Sequence, residues 1–129
     1  MYNWETIQEI DNRPTMTQVI EYNENNYSDF EWFEGFAVVR FYADWCKPCV
    51  QNFPVFAELA KHYAEVNPEV KFGKINVDRS PILTLRYNVY GLPSTLIFRN
   101  GEIMKRIVGV KSLTEMKAIL ALVLNDSYE

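Results

Sequence analysis

Cysteine is scarce in this chain, with two residues in 129, at positions 46 and 49. That is too few for the disulfide framework of a small secreted scaffold. A bridge between them would close only a tiny loop and constrain the unfolded chain little. Histidine is scarcer still, with His62 alone. Structural zinc needs four ligands, and this set falls short within one chain. Long apolar runs are missing as well, since stretches such as 119–124 fall far short of the roughly 20 residues that span a bilayer. No basic block appears, and a net charge of −4 with both signs interspersed offers no footprint for nucleic acid or an anionic membrane. The opening residues Met1-Tyr2-Asn3-Trp4-Glu5 lack the apolar core of a secretory signal. The chain as given therefore favours the cytoplasm; a mature exported form carrying a new methionine would read the same.

What is present is enough for one packed domain: 48% hydrophobic and 15% aromatic residues. Residues 1–16 read as an N-terminal extension, with helical spacing at Trp4, Ile7 and Ile10 before the break at Asn12-Arg13-Pro14. Residues 17–129 form the domain proper. Thr17–Tyr22 suits a short strand, and Asn23 suits the N-cap of a helix over about 24–33 that ends near Gly35. Phe36–Ala43 is almost continuously apolar, as a strand covered on both faces should be, with Arg40 the one interruption. A long helix follows from about Cys46 to Val66, with Pro54 expected to kink it. Strand 70–77, a short helix from Pro81 to about Tyr87, and strands 94–98 and 103–108 about Asn100-Gly101 come next. Ser112 and Glu115 make a capping box for a last helix to about Leu124. The order β-α-β-α-β-α-β-β-α implies an α/β domain with a central mixed sheet flanked by helices.

Cys46 falls where a strand ends and a helix begins. Free amides and the dipole at a helix start favour an anion, so a thiolate there drops below its free pKa of about 8.5. Lys47 adds a cation beside it, and Pro48 sits in the first turn, where its missing N–H is no loss. Cys49, three residues on, shares the helix face and can bridge to Cys46. This arrangement suits thiol–disulfide exchange, with Cys46 attacking and Cys49 resolving. His62 lies far along the helix and reads as a surface or packing residue.

The segments 41–49 (FYADWCKPC), 74–78 (KINVD), 87–94 (YNVYGLPS) and 98–101 (FRNG), followed by Gly109, resemble the thioredoxin family in order and spacing. The resemblance covers about residues 17–125 and implies the thioredoxin fold. It implies that Cys46 is the exposed nucleophile, Cys49 the buried resolving thiol, and Trp45 a cover that meets substrates. Pro93 matches the family's cis-proline beside the disulfide. Gly91, Leu92 and Gly109 would border a substrate groove with Trp45 and Pro93. No metal or cofactor is implied beyond the redox-active Cys46–Cys49 disulfide. Expected partners are protein disulfide substrates and an electron donor such as a thioredoxin reductase, with no nucleic acid and no membrane.

Three positions depart from the family pattern. Lys47 stands where thioredoxin has glycine, and Ser94 where many have threonine. Arg40 stands where the family usually buries an aspartate, while the aspartate's usual partner lysine is retained as Lys74. Near the cysteines an arginine would stabilise thiolates and make the disulfide more oxidising than in a typical thioredoxin. Alternatively its stem reaches the surface and pairs with Glu58 or Asp78. A buried Arg40 beside Lys74 requires a counter-charge or the departure of one side chain. The expected function is protein-disulfide reduction. A more oxidising oxidase or isomerase, or a thioredoxin-like adaptor with little turnover, are the alternatives.

Overall fold

The computed structural model describes residues 19–126. The expected extension at 1–16, with its helical spacing, lies outside the described residues, as do Thr17 and Gln18. The elements are β1 (Ile20–Tyr22), α1 (Ser28–Glu31), β2 (Phe36–Tyr42), α2 (Lys47–Val66), β3 (Lys71–Asn76), α3 (Pro81–Arg86), β4 (Ser94–Arg99), β5 (Glu102–Val108) and α4 (Leu113–Asp126). The sheet order is β1-β3-β2-β4-β5. β3 runs parallel to both β1 and β2, and β4 runs antiparallel to β2 and β5. This is the mixed sheet expected of the alternating pattern, with β2 in the middle.

The continuous apolar run of β2 follows from that position. Val38 packs toward α2 and α4 with Phe56, Leu59, Ile97 and Leu120. Ala37, Val39 and Phe41 pack on the other face with Phe30, Leu83 and Phe98. A pleated strand sends successive side chains to opposite layers, so a strand covered twice has no polar face to spare. Arg40 shares the parity of Val38 and so enters the layer beneath α2.

Local signals account for most boundaries. Asn100 and Gly101 both take positive φ, 51° and 82°, as a two-residue hairpin turn of the primed type needs. Ser112 Oγ accepts from the Glu115 amide and Glu115 Oε1 accepts from the Ser112 amide, closing the capping box. α2 runs unbroken through Pro54.

One expectation is corrected. The helix foreseen over 24–33 shrinks to Ser28–Glu31. Asn23 Oδ1 accepts from the amides of Asn25 and Asn26, so its side chain builds a turn instead of capping a helix. Gly35 does not cap α1 either. Its N–H donates to Asn100 Oδ1 and its carbonyl accepts from the Asn100 amide, both at 2.8 Å, tying it to the β4–β5 turn.

Candidate active site

The loop after β2 delivers Cys46 to the N-cap of α2 with extended backbone, φ −85° and ψ 101°. Pro48 occupies the first turn, where a missing amide donor is harmless. The Cys49 amide donates to Cys46 Sγ at 3.3 Å, and the two cysteines are joined in a disulfide with Cα atoms 5.2 Å apart. Both are buried, so the exposed nucleophile expected at Cys46 is corrected to a buried cysteine that borders a cleft. With Ala43 they form a small apolar cluster, against which Tyr42, Val77 and Leu92 pack. Lys47 and Pro48 are exposed beside them.

Trp45 stands 70% exposed, and its indole Nε1 donates to Asp78 Oδ2 at 2.8 Å. The ring is thus held by a hydrogen bond although it is open to solvent. Asp44 pairs with Arg79 at 3.2 Å in the same loop region. An open cleft of about 540 Å³ is lined by Trp45, Cys46, Lys47, Pro48, Val77, Tyr90 and Leu92, among others. Its walls are mostly apolar, with Lys47 the charged residue among them.

The Leu92–Pro93 peptide is cis, and the Pro93 carbonyl accepts from the Gly109 amide at 2.8 Å. Gly109 has φ 93°, a conformation that side chains on L-residues rarely take. At Gly91 a Cβ would come within 3.1 Å of Val108 Cγ1. Of the expected groove residues, Trp45 and Leu92 line the cleft with Cys46. Gly91 instead lines a second cleft with Ser94, Arg106 and Val108, among others. Gly109 serves the Pro93 backbone. Tyr90, 91% exposed, borders both clefts. It was not singled out from the sequence; an aromatic directly before Gly-Leu-Pro was the available signal.

Arg40 and Lys74 face each other in register across β2 and β3 and then part. Lys74 Nζ reaches Glu21 Oε1 at 3.7 Å, over the rings of Phe53 and Tyr42. Arg40 stays inside, 2% exposed. The surface pairing with Glu58 or Asp78 is therefore overturned, since Asp78 holds Trp45 and the guanidinium never leaves the interior. Its Nη2 donates to Asn52 Oδ1 at 2.8 Å, and its carbon lies 4.9 Å from the centroid of Phe56. Asn52 in turn donates to the Lys111 carbonyl at 3.4 Å. Burial lowers the guanidinium pKa to about 10, which leaves it charged at neutral pH. Asn52, one turn beyond Cys49, was not foreseen, because an Asn on a helix face gives no sign of its partner.

Among the described residues no group of three or more His, Cys, Asp or Glu side chains converges as a metal site, and no helix is long and apolar enough to cross a membrane.

Comparison with known proteins gives the family. The thioredoxin family model matches residues 18–122. The thioredoxin of Buchnera aphidicola subsp. Schizaphis graminum is 30% identical over 106 residues, covering 81% of this chain and 95% of the relative. The thioredoxin of Allochromatium vinosum is 39% identical over 83 residues, 64% of this chain and 75% of the relative. With the mixed sheet and the Cys46–Cys49 disulfide at the start of α2, these matches lead to one conclusion. The chain belongs to the thioredoxin family and is a thiol–disulfide oxidoreductase of the protein-disulfide reductase class.

Proposed function

We propose that this protein reduces disulfides in other proteins through Cys46 and Cys49, and that its own disulfide is returned to the dithiol by a thioredoxin reductase or similar donor in the cytoplasm. The observation that supports this most is the Cys49 amide aimed at Cys46 Sγ at the N-cap of α2. In the reduced protein the same amide and helix end favour a Cys46 thiolate.

The thiolate attacks one sulfur of the substrate disulfide. The substrate S–S bond breaks, a mixed disulfide forms, and the substrate's other sulfur leaves as a thiolate that takes up a proton. Cys49 thiolate then attacks Cys46 Sγ, forming the Cys46–Cys49 bond and releasing the second substrate sulfur. Two electrons pass from the cysteine pair to the substrate, and the donor restores them. Trp45, Leu92 and Tyr90 give an extended substrate segment apolar contact beside the disulfide, and the segment runs along Pro93.

The test is reduction of insulin disulfides with dithiothreitol as donor. Wild type should accelerate the reaction, and Cys46→Ser should fall to the uncatalysed rate. Equal, near-zero acceleration by both would leave only the adaptor reading.

A further inference from the structure

Arg40 is a buried cation for which the exchange steps above have no use. It lies in the sheet layer under the first turns of α2. Its Nη2 is bonded to Asn52, which follows Cys49 by three residues on the buried face of the helix. Side chains three apart on a helix are neighbours, with Cβ atoms about 5–6 Å apart. Its Nε and Nη1 are buried with no hydrogen-bond partner among the described residues. The described ion pairs give it no acid, since Glu21 serves Lys74, Asp44 serves Arg79, and Asp78 accepts from Trp45.

An amide oxygen and a ring face solvate a guanidinium without neutralising it. In the disulfide state the sulfurs one turn away along the helix carry no charge. Reduction creates an anion at Cys46 or Cys49, both buried, where charges interact far more strongly than in water. We propose that Arg40 is a positioning residue for redox poise: its unneutralised charge, held at Asn52 one helical turn from Cys49, favours the reduced, thiolate-bearing pair and makes the disulfide a stronger oxidant. Stabilising the reduced form raises the potential of such a couple. The same charge keeps Cys49 ready as a thiolate to resolve the mixed disulfide, since no Asp or Glu is buried among the described residues to take its proton.

This inference rests on the exchange chemistry of the pair, but its test needs no protein substrate and so stands or falls apart from the proposed reductase role. The probe is glutathione. Two glutathione thiols reduce the Cys46–Cys49 bond and become one glutathione disulfide; two electrons pass to the cysteines. Wild type, Arg40→Met and Arg40→Lys are equilibrated with glutathione at neutral pH, and the reduced fraction is read by thiol labelling.

Arg40→Met should shift the equilibrium about tenfold toward the disulfide, about 30 mV for a two-electron couple. Arg40→Lys, which keeps the charge, should stay within about threefold of wild type. Even buried ion pairs are often replaced by apolar side chains of similar volume without loss of stability, and Met matches the length of the arginine stem. If Arg40→Met does not fold, Arg40→Gln carries the same expectation. An Arg40→Met (or Gln) equilibrium equal to wild type, or equal shifts in the Met (or Gln) and Lys variants, would overturn the proposal and leave Arg40 a packing residue.

Discussion

The two halves of α2 rest on different ground. Beyond Phe56 its buried face is a closed apolar core: Leu59, Ala60 and Tyr63 packed on Val38, Phe72 and the inner side of α4. Before Phe56 the same helix covers a disulfide, an amide and a guanidinium bonded to that amide, with no acid partner among the described residues. The second half stabilises by area removed from water. The first half places charge and polar atoms where low dielectric amplifies them, at some loss of stability. One helix thus serves as a rigid anchor at its far end and as a chemical device at its start.

Substitutions in the two halves should therefore separate stability from redox behaviour. Leu59→Ala should destabilise the protein by about 2–5 kcal/mol. The loss should be equal in oxidised and reduced forms, so chemical denaturation shifts while the glutathione equilibrium does not. A changed equilibrium would mean that the halves are coupled. Trp45→Ala should leave stability nearly unchanged. It should lower kcat/KM for a protein disulfide about tenfold, the scale of an aromatic contact residue of about 1–2 kcal/mol, with little effect on a small disulfide. Equal losses on both substrates would deny Trp45 a contact role.

Ser112→Ala removes the cap of α4 and should lose about 1 kcal/mol in denaturant, again without redox effect. The smallest effect concerns pH. The Ser112 amide holds the Glu115 carboxyl below its ordinary range. A lowered carboxylate pKa means stability that is present above the unfolded value and lost as pH falls through the folded one. The advantage of wild type over Glu115→Gln should accordingly be seen at neutral pH and vanish on acidification, as followed by denaturation at a series of pH values.

Much of this was legible in the sequence because the signals were local. Asn100-Gly101 required positive φ, Ser112 with Glu115 spelled a capping box, and Cys46 at a strand-to-helix junction marked the site. The cis bond before Pro93 was not legible from physics, since an X–Pro bond carries only a weak preference; family resemblance supplied it. Asn23 misled because its side chain can serve a turn as well as a helix, and three asparagines within four residues tipped the balance. Arg40 was undecided because its destination depends on non-local partners. Glu21 drew Lys74 away, and Asn52 and Phe56 kept Arg40 inside.

The most direct test of Cys46 as nucleophile is to stop the reaction at its intermediate. Reduced Cys49→Ser is mixed with a protein containing a single accessible disulfide, quenched in acid and analysed by intact mass and peptide mapping. The account predicts a covalent adduct of the summed masses, linked through Cys46 and released by dithiothreitol. It also predicts far less adduct with Cys46→Ser, which retains only Cys49, whereas Cys46 is the member of the pair that lines the cleft. Absence of the Cys49→Ser adduct, or preferential capture through Cys49, would contradict it.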